Sequence, residues 1–195
     1  MIGGSTMVRK TIRLTTREEL NTYMSPVRQE LLRTLRLSGE PMTPKELSLR
    51  LKISASSVQH HLKKLLDLGV VEVDHRALIN GITATYYRDS PVEVRMGMER
   101  GDDLREEREA MVGQMVEQVY GGFVERTRQV RGGMDEEALQ GYAYLTSGLA
   151  RLLPGERAGL LETVRRYLEA HERPGRPGEE TWEYLIVAYR PEEQP

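Results

Sequence analysis

Apolar side chains recur at helical spacing between residues 25 and 69 and predict three consecutive helices. Ser25 is placed to cap the first of these helices, and Pro26 suits its first position. Gly39 stands where the pattern stops, which is typical of a helix C-terminus. The apolar stripe of this helix consists of Val27, Leu31, Leu32 and Leu35. Such a stripe is expected to be buried against neighbouring elements.

The next two predicted helices carry their own start signals. Thr43 and Glu46 have the spacing of a capping box and predict the start of the second helix. After a short break, Ser54 is placed to cap the third helix, and Gly69 is placed to end it. The apolar stripe of the third helix consists of Val58, Leu62, Leu65 and Leu66. The opposite side of this helix is therefore polar and free for other contacts.

After the third helix, apolar and polar residues alternate with a period of two, and this pattern predicts a β-hairpin over residues 70–88. Val71 and Val73 alternate with acidic residues, and apolar residues alternate with threonine after Gly81. The Asn80-Gly81 pair is typical of a hairpin turn. The stretch between the two alternating runs looks longer than two residues, so the turn type stays open.

The remaining segments have weaker patterns. Residues 8–14 predict a short strand or arm, and a capping box predicts a short helix over residues 16–24. Long amphipathic helices are predicted over residues 102–129 and 155–171. Residues 135–153 fit either a helix or two short strands, and strands are favoured. The run TWEYLIVAYR near the C-terminus alternates apolar faces and predicts another strand.

The order helix, helix, break, helix and hairpin is that of a winged helix-turn-helix domain. The predicted fold class is α+β and mainly helical, with this domain N-terminal to a helical domain that has a few strands. We expect three segments: an N-terminal arm of strand and short helix in residues 1–24, the winged helix-turn-helix in residues 25–91, and a C-terminal dimerisation or effector domain in residues 92–195.

Charge is divided unevenly along the 195-residue chain. Residues 1–92 contain 14 Lys and Arg against 9 Asp and Glu, a net charge of +5, whereas residues 93–195 contain 14 against 21, a net charge of −7. A basic half next to an acidic half indicates separate roles, with the basic half suited to a polyanion. Chance variation in surface charge is the alternative explanation.

The composition also excludes several classes of function. Because the chain has no cysteine, disulfides, thiolate nucleophiles and thiolate metal sites are excluded. No apolar run has the length of a membrane span, and the N-terminus lacks the apolar core of a secretory signal, so a cytoplasmic location without membrane contact is expected. No enzyme motif is present, and we expect neither an enzyme nor a bound cofactor.

Three stretches of the chain resemble the ArsR-like winged-helix transcription regulators of bacteria and archaea. They are SPVRQELLRTL, TPKELSLRLKISASSVQHHLKKLLDLGVVE and ATYYR, and they fall within about residues 25–89. The resemblance implies a DNA-binding domain whose recognition helix covers residues 54–68 and whose wing is the hairpin. It implies base-reading positions at Ser56, Ser57, Gln59 and His60.

The residue types on the polar side of this helix suit the same role. Serine hydroxyls near a helix N-terminus allow close approach of phosphates, and Gln59 can pair bidentately with adenine. Lys63 or Lys64 can neutralise phosphate, and Arg76 on the hairpin is placed for the flanking backbone or minor groove. Double-stranded DNA is thus the predicted partner.

The adjacent His60 and His61 also raise a metal site as an alternative. Neighbouring residues on a helix point about 100° apart and do not easily share one ion. A site with His75, Asp74 or Glu72 is conceivable, but soft-metal sensing needs thiolates that this chain lacks. No metal site is therefore predicted.

A single winged helix reads few base pairs, so a homodimer on an inverted-repeat operator is expected. The helix at residues 102–129 is the predicted dimer element, with candidate contacts at Met111, Met115, Val119 and Phe123. Packing within the C-terminal domain is the alternative role of these residues. Aromatic and methionine residues there are candidates for an unidentified small-molecule effector site. The rival function is a winged-helix protein-interaction module without sequence-specific DNA binding.

Overall fold

The computed structural model describes residues 10–130, 135–172 and 178–191. The chain divides into two compact units, of which the first extends to Glu109 and the second begins at Ala110. The first unit contains the helix-turn-helix region, and the second unit is helical. The predicted fold class is thus confirmed at the level of an N-terminal helix-turn-helix region followed by a helical C-terminal part.

Four helices form the body of the first unit, close to their predicted positions. They are α1 (Arg17–Met24), α2 (Pro26–Ser38), α3 (Pro44–Leu51) and α4 (Ala55–Leu68). Capping boxes start α1 at Thr16 and α3 at Thr43, as predicted. Gly39 and Gly69 end α2 and α4 in the left-handed backbone region that glycine adopts without strain.

The predicted side-chain cap at Ser25 is wrong. Ser25 is the single residue between α1 and α2, and its side chain makes no capping hydrogen bond. Its carbonyl oxygen instead starts the hydrogen bonding of α2 by accepting from the Gln29 backbone N–H at 2.9 Å. The last carbonyls of α1 accept from side chains of α2, because the Gln29 amide donates to the Tyr23 carbonyl at 2.5 Å. The corner is therefore closed by α2 side chains.

The core of this unit is built from the predicted apolar stripes. Leucines of α2 and α3 and the inner face of α4 are almost fully excluded from solvent. The set consists of Leu31, Leu32, Leu35, Leu47, Val58, Leu62 and Leu65. Burial of each such side chain contributes roughly 1.5–3 kcal/mol. This packing fixes which side of α4 faces outward.

The hairpin consists of β2 (Val71–Ile79) and β3 (Ile82–Asp89), paired antiparallel. Its loop is only Asn80 and Gly81, and both have positive φ angles, 49° and 80°. The expectation of a longer loop is wrong, because alternation continues to the Ile79–Ile82 pair. Two positive φ angles define the type I′ turn, whose twist matches that of the strands.

The N-terminal arm is paired. Strand β1 (Lys10–Arg13) runs parallel to β4 (Val92–Arg95), with Ile12 opposite Val94. Leu14, directly after β1, is 1% exposed. The predicted strand and short helix are thus present, although residues 8 and 9 of the predicted strand lie outside the described residues. β4 comes directly after the hairpin and belongs to the same unit.

The described part of the second unit contains helices but none of the predicted strands. The helices are α5 (Arg105–Val130), whose residues 105–109 belong to the first unit, α6 (Glu136–Gln140) and α7 (Pro154–His171), so the two predicted long helices are confirmed. The prediction of strands over residues 135–153 and in TWEYLIVAYR is wrong for the isolated chain. Strand patterning alone does not make a strand, because a ladder needs a hydrogen-bonding partner.

Candidate nucleic-acid interface

The turn between α3 and α4 positions the second helix of the motif. Lys52 takes a left-handed conformation, φ 55°, and its backbone N–H donates to the Ser48 carbonyl. The Ser54 hydroxyl then caps α4 by accepting from the Ser57 backbone N–H at 3.2 Å. The cap predicted from sequence is therefore formed, and α4 starts at a defined position two residues after the turn.

Helix α4 has one buried and one outward side. Val58, Leu62 and Leu65 are 0% exposed and anchor the helix to α2 and α3. The outward side carries the predicted DNA contacts. Ser56, Gln59, His60 and Lys63 are exposed, and Ser57 and Lys64 are half-buried. Six of the seven predicted DNA-binding residues are thus on this one helix.

The N-terminus of α4 suits an anion. No acidic residue lies in its first turn, so the free backbone N–H groups and the helix dipole are not neutralised by a carboxylate. The Ser54 and Ser56 hydroxyl groups lie 3.0 Å apart, and both residues are exposed. This places two small hydroxyl groups beside the helix start, where a phosphate can approach the backbone closely.

The cations around α4 are available for a partner. Within the described residues, Lys52, Lys63, Lys64 and Arg76 form no ion pair. Several arginines elsewhere in this unit bind carboxylates, as Arg88 does with Glu72 at 2.7 Å. Positive charge without a carboxylate neighbour is what counterion release at a phosphate backbone requires.

Arg76, the seventh predicted contact, lies on the wing. It is exposed on β2, opposite Thr85 of β3. Next to it the His75 and Tyr86 rings stack with centroids 4.3 Å apart, and the His75 Nδ1 lies 2.6 Å from Asp74. The stacked rings connect β2 to β3 directly beside Arg76.

Arg28 and His61 form a contact that the sequence pattern did not predict. The Arg28 guanidinium donates to the backbone carbonyls of Thr22 and Asn21 on α1, and it lies 3.3 Å from the His61 Nδ1 on α4. Because guanidinium only donates, this ring nitrogen accepts and is unprotonated. The sequence did contain one sign of this contact. Arg28 lies in the first turn of α2, where the helix dipole disfavours a cation, so its guanidinium is expected to bind nearby acceptors.

The pKa of His61 is lowered in the folded chain. Partial burial is the main cause, followed by the positive charge of Arg28 and the neighbouring His60. His61 therefore belongs to the support of α4, whereas His60 points outward. The same contact occupies the His61 Nδ1, one of the two ring nitrogens that can bind a metal ion. Across the described residues, no group of three or more His, Asp or Glu is arranged to hold a metal ion.

The predicted dimer residues lie along α5. Met111 is 4% exposed, whereas Met115, Val119 and Phe123 are half-buried on the same side of the helix. Tyr120 is 58% exposed and its ring lies 6.3 Å from that of Phe123. An apolar surface therefore continues along α5, and its role in dimerisation stays a prediction.

Comparisons with known proteins identify the first unit. The family model described as a helix-turn-helix domain matches residues 23–74, which span α2, α3, α4 and the start of the wing. None of the curated proteins compared with the chain matches its sequence. The chain therefore contains a helix-turn-helix domain.

The chain has weak structural similarity to several solved structures of regulators. A possible transcriptional regulator from Methanosarcina mazei Go1 is 16% identical, covering 55% of this chain and 81% of its own, with a TM-score of 0.33. The repressor BigR from Xylella fastidiosa is 20% identical, with coverages of 51% and 82% and a TM-score of 0.29. AdcR from Streptococcus pyogenes is 12% identical, with coverages of 78% and 83% and a TM-score of 0.33. At scores this low, the likenesses carry no argument here.

Among the helices in the described ranges, none has both the length and the apolar character needed to cross a bilayer.

Proposed function

We propose that the chain is a DNA-binding transcription regulator similar to the ArsR-like regulators. In this proposal α4 lies in the major groove, and the hairpin of β2 and β3 contacts the flanking backbone. The observation that carries it is the two-sided character of α4. One side is anchored by fully buried aliphatic residues, while the other presents hydroxyl, amide, imidazole and ammonium groups without ion-pair partners within the described residues.

The predicted contacts divide into two classes. Lys63, Lys64 and Arg76 bind phosphates and supply affinity that depends on salt. Ser56, Ser57, Gln59 and His60 reach base edges and supply sequence preference. An exposed amide at Gln59 and a small hydroxyl at Ser56 are chemically suited to the major groove, where adenine and guanine present distinct acceptor patterns.

The proposal includes a homodimer on an inverted-repeat operator, with α5 as the main dimer element. Support comes from exposed apolar surface in the second unit. Among the described side chains beyond Met111, none is buried, although many are large and apolar. Apolar surface of this extent marks an interaction site on a soluble chain. An effector site in this unit, a cytoplasmic location and the absence of catalysis are further parts of the proposal.

The salt dependence of binding to random duplex DNA tests the DNA-binding part. For the wild type, we expect the logarithm of the binding constant to fall steeply with the logarithm of salt concentration. In Lys63→Ala/Lys64→Ala the slope should decrease by about 1 for each lysine that binds a phosphate in the wild type. Arg151→Ala/Arg157→Ala removes the same charge from two exposed residues of the second unit and serves as the control.

The rival function gives a different result in the same experiment. A winged-helix module that binds only proteins would show absent or salt-independent DNA binding. Equal slopes for the Lys63→Ala/Lys64→Ala and the Arg151→Ala/Arg157→Ala variants would show that the chain's general charge, and not α4, attracts DNA. Either result would overturn the proposed role of α4.

A further inference from the structure

The segment of residues 182–189 is exposed and has an unused capacity to form a strand. Trp182, Ile186 and Val187 are 48%, 55% and 71% exposed. No backbone hydrogen bond joins residues 185–189 to another described residue. The composition WEYLIVAY is nevertheless rich in aromatic and β-branched residues, which are the types enriched in strands. A segment with the composition of a strand can form one only by hydrogen bonding to the edge of another strand.

This segment is held in place at one end within the second unit. The Gln118 amide on α5 lies 3.5 Å from a carboxylate oxygen of Glu183, and the Tyr184 hydroxyl donates to the Glu172 carboxylate at the end of α7. Residues 185–189 continue from this anchored point with their side chains exposed. The apolar segment is thus attached to α5, the helix proposed to form the dimer.

We infer that residues 182–190 pair antiparallel with the same residues of a second copy of this chain, forming a two-stranded ribbon across the dimer axis. The inference rests on the proposed homodimer and adds the strand that joins the two copies. A two-fold axis perpendicular to such a ribbon makes one residue face its own counterpart. Alternate residues within 185–189, which make no backbone hydrogen bond to another described residue, then exchange N–H and C=O hydrogen bonds with the second copy.

The pairs of facing side chains are best matched when Ile186 lies on the two-fold axis. In this register Leu185 lies opposite Val187 of the partner subunit, which pairs aliphatic with aliphatic residues. Trp182 lies opposite Arg190 of the partner subunit, where the guanidinium can stack on the indole ring. The same pairs are repeated on the other side of the axis, so that both ends of the ribbon are closed by a cation and an aromatic ring.

The neighbouring symmetric registers are worse. With Leu185 on the axis, Glu183 faces Val187 of the partner subunit, and a carboxylate is placed against an aliphatic side chain, whereas with Ile186 on the axis it faces Tyr189 of the partner subunit, whose hydroxyl can donate to a carboxylate. With Val187 on the axis, Pro191 enters the ladder, and proline has no N–H to donate. A second copy of this chain is therefore a chemically matched occupant, because the segment is complementary to itself in one particular register.

A single cysteine tests the register directly, because the natural chain has no cysteine. Ile186→Cys places two thiols opposite each other across the axis. Under mild oxidation we expect about tenfold more disulfide-linked dimer than for Leu149→Cys, since a disulfide forms only between Cβ atoms that lie close together. Leu149 is 94% exposed in the same unit, so its variant controls for random collision.

Hydrogen exchange of the wild-type chain gives a readout that does not depend on a variant. Within residues 185–188, the alternate amides whose N–H groups point to the partner strand should exchange slowly above the dimer dissociation constant and rapidly after dilution below it. Sedimentation equilibrium on the same samples measures the dimer itself. Slow exchange that persists in the monomer would mean that the segment pairs within its own chain, and this would overturn the inference.

The inference and the proposed function fail in different ways. A dimer without the Ile186→Cys disulfide, and with rapidly exchanging amides, would overturn the ribbon and leave the homodimer intact. A chain that stays monomeric at all concentrations would overturn both the ribbon and the proposed homodimer, whereas DNA binding by α4 would still be measured separately. Efficient cross-linking together with concentration-dependent protection supports the ribbon.

Discussion

At the scale of single residues, Arg28 and His61 show how α4, the helix proposed to read DNA, is held on the side that does not face outward. Arg28 links the end of α1 to the side of α4 that does not face outward. The imidazole must stay neutral to accept from the guanidinium, and the pKa of His61 is lowered by its partial burial and by the charge of Arg28. The orientation of α4 thus depends on an imidazole that must stay neutral.

This contact predicts a pH dependence of stability. The unfolded chain takes up a proton at His61 near its ordinary pKa of about 6.5, whereas the folded chain takes it up only at lower pH. The unfolded state therefore binds more protons as the pH falls through this range, and the free energy of unfolding decreases. Urea unfolding at several pH values should show this decrease for the wild type.

His61→Gln keeps an acceptor for Arg28 but removes the titration. We expect its free energy of unfolding to vary less than that of the wild type below about pH 6.5. His60→Gln, which changes an exposed neighbour on the same helix, is the control and should keep most of the wild-type pH dependence, because burial and Arg28 are the larger causes. Identical pH dependence in the wild type and in His61→Gln would show that this contact does not set the protonation of His61.

At the scale of elements, the leucines of α4 fix which side of the helix is available. Leu62 is 0% exposed, and its truncation in Leu62→Ala should lower the free energy of unfolding by about 2–5 kcal/mol. Leu49 on α3 is 70% exposed, so Leu49→Ala should change it by at most about 0.5 kcal/mol. Urea unfolding monitored by circular dichroism measures both. Equal effects of the two substitutions would contradict the assigned orientation of α4.

The contribution of the wing to DNA binding can be tested separately from that of α4. Arg76→Ala leaves the hairpin register and the type I′ turn intact, because the Arg76 side chain makes no ion pair with a described residue. We expect weaker DNA binding, with the salt slope reduced by about 1 for each phosphate that Arg76 binds. Fluorescence anisotropy with a labelled duplex at several salt concentrations measures this slope. An unchanged slope and affinity would remove the wing from the interface.

Much of the first unit could be predicted because its signals are local. Capping boxes at Thr16 and Thr43, glycines at helix ends and the Asn80-Gly81 turn each act within a few residues. The features that were not predicted depend on residues that are distant in sequence. Arg28 and His61 are 33 positions apart, and their contact follows only from the packing of α2 on α4. Ser25 failed as a cap because two helices meet at that one residue.

The second unit was harder to predict for a different reason. Its helices have clear periodicity, but the strands predicted in residues 135–153 and in TWEYLIVAYR are not formed among the described residues of one chain. A strand pattern in the sequence indicates that a segment can form a strand when another strand edge is available for hydrogen bonding. The disagreement is therefore informative, because it directs attention to a second copy of the chain.

At the scale of the whole molecule, a homodimer restricts the spacing of its DNA half-sites. We expect the preferred operator to be an inverted repeat whose half-site centres are about one helical turn, roughly 10 base pairs, or a multiple of it apart. Inserting about half a turn of DNA should weaken binding strongly, because the second recognition helix would then face the opposite side of the duplex. Binding that is indifferent to this insertion would contradict a rigid homodimer.

The central claim is that the outward side of α4 reads bases, and sequence selection tests it most directly. Randomised duplexes should be selected with the wild type, with Gln59→Ala/His60→Ala and with Lys63→Ala/Lys64→Ala. We predict that the Gln59→Ala/His60→Ala variant loses preference at particular base pairs, each by about 1–3 kcal/mol, while the Lys63→Ala/Lys64→Ala variant keeps the wild-type preference with uniformly weaker binding. The same selected sequence from the wild type and from Gln59→Ala/His60→Ala, or no selected sequence at all, would contradict the claim.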